Sequence, residues 1–191
     1  RARRALSAWM GHSMEMTGGS SIESVVQVLE RAFSQYARET AIETADGTSM
    51  TYSELRERTD KWCAWLSRQG VGKGTRVAID LASPLRCIEC IVACVRMCAV
   101  YVPLDPATQP DRKRTMQRSA GTEFLIDDEL AARVASSPDG AGDATAPDRS
   151  GSDASELAGE DDPFAILFTS GSTGDPKAVV FPQSLIHNYR L

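Results

Sequence analysis

Apolar residues recur along the chain at two spacings, and their alternation predicts a mixed α/β fold. From residue 22 to about 36, Ile22, Val25, Val26, Leu29, Ala32 and Phe33 share one helical stripe. Ser20 and Ser21 precede it, where a hydroxyl accepts from free helix N–H groups. Residues 41–44 read as a short strand, Asp46-Gly47 as a turn and 49–51 as the returning strand. A second helix starts near Ser53, with Leu55, Trp62, Trp65 and Leu66 inward and Glu54, Arg56, Glu57 and Arg58 outward. The run Gly70-Val71-Gly72-Lys73-Gly74 ends it.

The rhythm then becomes strand–helix. Residues 76–81 form a buried strand, Pro84 opens a helix running to about Met97, and 100–104 form the next strand. A turn at Asp105-Pro106 leads to a basic helix at 111–119 and a strand at 123–126. Residues 164–168 are a continuous apolar run, expected of a buried parallel strand. Strands alternating with helices through short connections imply a largely parallel sheet. Residues 136–162 break the pattern: small, acidic and turn-forming residues predominate, with too little apolar surface to order them. This stretch reads as a flexible acidic loop within one domain (21–191), a domain boundary being the alternative. Residues 1–20 read as a disordered arm or linker. The Arg-rich composition of 1–16 also suits an organellar targeting segment, and the absence of an initiator Met fits excision from a longer protein.

Composition narrows the function. A net charge of −5 gives no basic field pointing to nucleic acid or an anionic membrane. The longest apolar candidate, 88–102, is interrupted by Glu89 and Arg96, short of the ~20 residues a membrane helix needs. A cytoplasmic setting is expected.

The chemistry concentrates in FTSGSTGDPK, residues 168–177. Thr169, Ser170, Ser172 and Thr173 supply hydroxyls that donate to phosphate oxygens or approach a bound metal. Gly171 and Gly174 let backbone N–H groups come close with no Cβ in the way. Lys177 brings a compact positive charge, and Pro176 restricts the chain just before it. The string lacks the Gly-Lys-Ser/Thr ending of a P-loop, and no G-x-G-x-x-G occurs in the chain. An ordinary Gly/Ser-rich turn is the bland alternative; the full string directly after a strand favours polyphosphate binding.

TSGSTGDPK resembles the signature loop of the adenylate-forming superfamily, which includes acyl-CoA synthetases, firefly luciferase and the adenylation domains of nonribosomal peptide synthetases. MTYSELRERTDKWCAWL (50–66) and VRMCAVYVPLDP (95–106) resemble two earlier motifs of that family, in the right order, the second closer to amino-acid-activating adenylation domains. The resemblance implies the N-terminal lobe of an AMP-binding adenylation domain. It implies activation of a carboxylic acid, amino or aryl, by ATP and Mg²⁺ to an acyl-adenylate, then transfer to a thiol of CoA or of a phosphopantetheinyl carrier domain. It assigns Thr169, Ser170, Ser172, Thr173 and Lys177 to the phosphates, with Gly171 and Gly174 as enabling backbone. The family's adenine-, ribose- and substrate-reading residues, a Mg²⁺-binding acid and a catalytic lysine lie beyond this loop. No catalytic residue is therefore expected here, and the isolated chain is expected to be inactive.

Four departures stand against the family pattern. Cys98 and Ala178 occupy positions that usually hold glycine, Gln109 replaces tyrosine and Gln183 a histidine. Ala178 is expected to matter most, since it adds a Cβ beside the loop. With these changes, a non-catalytic remnant acting as scaffold or partner-binding module is the rival reading.

Other candidates are set aside. Cys87, Cys90, Cys94 and Cys98 fall along one helix face but span ~16 Å, too far for one tetrahedral ion, so packing is expected rather than metal binding. A Cys87/Cys90 redox pair is the alternative. His12 and His187 have no G-x-S-x-G elbow to serve. The acids of 139–162 lack EF-hand spacing and read as solvated. Arg112, Lys113, Arg114 and Arg118 read as a basic surface face, with docking as the alternative.

Overall fold

The computed structural model of the protein describes residues 24–136, 159, 161–170 and 176–185. The first helix, α1 (Val25–Gln35), starts later than its apolar stripe, and Ser24 caps it. Ser24 Oγ accepts from the Gln27 N–H at 3.2 Å, and the Gln27 side chain accepts from the Ser24 N–H at 3.0 Å. That reciprocal box satisfies two donors, so Ser20 and Ser21, outside the described residues, are not the cap. Strands β1 (Thr40–Glu43) and β2 (Ser49–Thr51) form the expected antiparallel hairpin. Thr51 then caps α2 (Tyr52–Arg68) in a second box with Glu54.

The remaining strands make one sheet. They are β3 (Arg76–Asp80), β4 (Val100–Pro103), β5 (Phe124–Asp127), β6 (Pro163–Ser170) and β7 (Pro176–Pro182). The order is β5-β3-β4-β6-β7, parallel from β5 to β6, with β7 antiparallel to β6. Helices α3 (Pro84–Arg96), α4 (Pro110–Ala120) and α5 (Asp128–Ser136) connect them. This is the mixed α/β, largely parallel architecture that the alternation predicts.

Side chains alternate between the sheet faces and so build two cores. Val77, Ile79 and Ile126 face α2, α3 and α5, packing with Trp62, Leu66, Cys90, Ala93, Cys94 and Val134. Ala78, Val100, Val102 and Ile166 face the other way, against Met116 and Ala120 of α4. Among the described residues, no helix is long and apolar enough to cross a membrane.

Two elements were not anticipated. Helix α5 is short and its apolar positions are mostly small, so its stripe is faint. Its cap was readable: Asp127 Oδ1 accepts from the Leu130 N–H at 2.9 Å, with acids in the first turn and Arg133 in the last. Strand β7 was absorbed into the presumed loop, of which only 171–175 separates β6 from β7.

Residues read as interruptions prove structural. Arg96 is buried in the last turn of α3. Its Nε donates to Glu30 of α1 at 2.9 Å, and its Nη1 donates to Asp60 at 2.7 Å and to Thr59 at 2.9 Å, both on α2. Its guanidinium also lies 5.3 Å from the centre of the Phe33 ring. One arginine thus pins three helices together. Glu89, also buried, accepts from Arg58 Nη1 at 3.0 Å.

Cys98 is not on the helix with the other thiols. It follows the cap residue Met97 with φ +54°, the only positive φ at a non-glycine position among the described residues. The Cys98 N–H donates to Val95 O, and the Ala99 N–H to Cys94 O. These are the two bonds of a Schellman motif, whose left-handed position favours glycine. The departure at Cys98 therefore lies in backbone conformation.

Candidate functional site: the hairpin at the carboxyl end of the sheet

Tyr101 of β4 pairs with Ala165 of β6, and β4 ends at Pro103. Strand β6 continues to Ser170, so Phe168, Thr169 and Ser170 extend past β4 at the carboxyl end of the parallel strands. Ligands of open α/β sheets bind outside this end. Strand β7 returns antiparallel, pairing Thr169 with Lys177 and Ser170 with Pro176. Pro176 takes the first position of its strand, where a missing N–H is tolerated. Thr169 and Lys177 are exposed. Directly paired residues have Cβ atoms about 4.5–5.5 Å apart, so the Thr169 and Lys177 side chains leave the strands as neighbours. Among the described residues, Lys177 meets no carboxylate. Gly171, Ser172, Thr173 and Gly174 lie outside the described residues.

Ala178 pairs with Phe168 within β7 in ordinary extended backbone. A glycine's conformation is not used there, which removes the conformational objection to this position.

The base of the hairpin is fastened. Asp162, read from sequence as part of a solvated run, accepts from Lys73 Nζ at 2.8 Å and from the Gly159 N–H at 2.6 Å. The Lys73 contact, then the Gly159 bond, hold its carboxyl below the usual carboxylate range. The Gln183 N–H donates to Asp162 O at 2.9 Å, and Gln183 itself is buried. Phe164 meets Tyr101 edge-on, ring centres 5.2 Å apart. Ile166 and the partly buried Phe168 lie in the α4 core. The hairpin is therefore fastened at its root, while Thr169 and Lys177 at its far end are exposed.

The residues set aside divide differently. Cys90 and Cys94 are buried in the core, as the packing reading expects, and burial pushes both thiols up from their ordinary range. Such thiols are poor nucleophiles, and Cys87, half-buried, is raised by the same cause. Lys113 does not belong to a basic surface: it points inward onto Asp80.

A family model described as "AMP-binding enzyme" matches residues 29–190. The chain belongs to the AMP-binding enzyme family. A polyketide synthase-nonribosomal peptide synthetase of Aspergillus clavatus is 30% identical over 174 residues, covering 87% of this chain and 4% of that protein. The N-terminal subdomain of Klebsiella oxytoca NpsA superposes with a TM-score of 0.70 at 22% identity, covering 86% of this chain and 43% of that one. VinN, solved in complex with 3-methylaspartate, superposes with a TM-score of 0.67 at 26% identity, covering 85% and 48%. The chain thus spans a small part of the curated synthetases it matches and under half of the solved chains.

Proposed function

We propose that this chain supplies the phosphate-holding lobe of an adenylate-forming ligase. The enzyme joins a carboxylic acid, amino or aryl, to AMP and then passes the acyl group to a thiol. In the first step a carboxylate oxygen attacks the α-phosphorus of ATP–Mg²⁺, and the bond to the bridging oxygen breaks. The products are an acyl-adenylate and pyrophosphate. In the second, a thiol of a phosphopantetheinyl carrier or of CoA attacks the acyl carbon and releases AMP. A polyketide synthase-nonribosomal peptide synthetase and a nonribosomal peptide synthetase are among the relatives of this chain, and on that ground we favour a carrier as acceptor.

The observation that carries the reading is the hairpin. It pairs Thr169 with Lys177 at the carboxyl end of the sheet, on either side of the hydroxyl- and glycine-rich sequence 171–175. In this reading Thr169, Ser170, Ser172, Thr173 and Lys177 hold the β- and γ-phosphates, and Gly171 and Gly174 let the backbone approach them. Lys177 offsets the negative charge that builds on pyrophosphate as it departs. A cytoplasmic setting belongs to the same proposal and rests on the acidic composition alone. The remnant reading loses its main support, because Ala178 sits in unstrained strand.

Calorimetric titration of the chain with ATP–Mg²⁺ tests this. Saturable binding is expected, weakened at least about tenfold by Lys177→Ala, the loss of one charge-assisted contact. Binding of equal strength in wild type and Lys177→Ala would remove the hairpin from the site. ATP–pyrophosphate exchange by the chain alone is expected to be absent.

A further inference from the structure

Lys113, in the second turn of α4, spends all three ammonium protons on one corner of the molecule. Nζ donates to Asp80 Oδ1 at 2.7 Å, to Asp80 Oδ2 at 2.8 Å and to Pro106 O at 3.0 Å. Both side chains are largely buried, Lys113 15% and Asp80 21% exposed. Asp80 is the last residue of β3, at the same sheet end as Thr169. Pro106 belongs to the turn that leads from β4 into α4. The contact thus fixes the entrance of α4 against two strand ends.

What α4 does next gives the contact its consequence. One turn beyond Lys113, Met116 and then Ala120 pack with Ile166, and Phe168 joins this core, both residues belonging to β6; α4 also lies against β7. The helix that supports one face of the β6–β7 hairpin is therefore anchored at its entrance by the Lys113 ammonium. A simple stabilising pair would need only Asp80; the added bond to the Pro106 carbonyl fixes position along the sheet as well.

We propose that Lys113 is a positioning residue for polyphosphate binding: its contact with Asp80 and Pro106 sets α4, and α4 sets the hairpin carrying Thr169 and Lys177. The inference rests on the phosphate-holding reading above. Groups that hold a ligand must keep within about 0.5 Å of their productive geometry.

The test separates positioning from stability. Lys113→Met alone strands Asp80 and is expected to lower stability. The pair Asp80→Leu with Lys113→Met removes both charges together, an exchange that commonly preserves folding. It is expected to unfold at a urea midpoint near that of wild type while binding ATP–Mg²⁺ about tenfold more weakly, because the Pro106 tether is gone. Lys113→Arg, which keeps the charge and donors, is expected to bind within about threefold of wild type. If the double variant binds as wild type does, Lys113 is merely structural and the inference falls, leaving the hairpin reading intact. If the double variant does not fold, the folded fraction of Lys113→Met at low urea decides: binding about tenfold weaker than wild type, with Lys113→Arg near wild type, supports the proposal, and binding at wild-type strength overturns it. Absence of ATP–Mg²⁺ binding by the wild type would overturn both.

Discussion

Replacing Arg96 with methionine keeps much of the side-chain length and removes the charge that joins α1, α2 and α3. The guanidinium is 5% exposed, and its partners differ in how well they survive its loss. Asp60 is 41% exposed and can rehydrate. Glu30 is 8% exposed and, among the described residues, keeps the Arg56 Nη2 contact at 3.8 Å. Breaking a buried pair by removing one partner costs about 3–5 kcal/mol, most of it the stranded charge. With Asp60 hydrated and Arg56 still near Glu30, the lower part of that range applies, about 3–4 kcal/mol. Against a typical domain stability of about 5–15 kcal/mol, the loss is easily measured. Urea unfolding at neutral pH, followed by the fluorescence of buried Trp62, gives the number. Adding Glu30→Met should recover all but about 1 kcal/mol, since an apolar pair replaces an ionic one. A single-variant loss below about 1 kcal/mol would show that Arg96 does not hold the three helices together. So would a double variant no more stable than the single one.

Two further outcomes follow from the backbone and the thiols. At Cys98, the left-handed backbone costs an L-residue about 1–2 kcal/mol, close to what glycine would lose in burial and chain entropy. Cys98→Gly should therefore unfold within about 1 kcal/mol of wild type, whereas branched Cys98→Val should fall below Cys98→Gly by more than that; equal stabilities of the two variants would contradict the strain assignment. For Cys90 and Cys94, burial raises the folded-state thiols above their unfolded value. Their stabilisation is complete below the unfolded pKa of about 8.5 and is lost as pH rises above it, by about 2 kcal/mol per thiol between pH 8 and 10. Denaturation at those two pH values should show a decline smaller by that amount in Cys94→Ala, and an unchanged decline would refute the link.

The alternation of strands and helices was legible because period-2 and period-3.6 patterns survive in the residues themselves. Hence β3, β4 and α3 stand where the pattern put them. Helix α5 was missed because Ala131 and Ala132 make a faint stripe, although Asp127 advertised its start. Strand β7 was missed because Lys177 and the flanking prolines looked like the end of a loop. Sequence gave the residue types at the hairpin, and the structure added the pairing of Thr169 with Lys177. Partners distant in the chain could not be read in advance. Glu30 and Arg96 lie 66 positions apart, and nothing local in either says that it will be buried. The ranking of the two lost glycines was reversed for the same reason: φ at Cys98 and Ala178 is set by the helix end and the strand around each.

The place where polyphosphate binds can be located directly. Isotope-labelled protein titrated with ATP–Mg²⁺, with backbone amides followed by NMR, locates it residue by residue. If the hairpin holds polyphosphate, the largest shift changes run from Thr169 to Lys177 and disappear in Lys177→Ala. Saturable changes centred on another part of the sheet, with the hairpin amides unmoved, would contradict it.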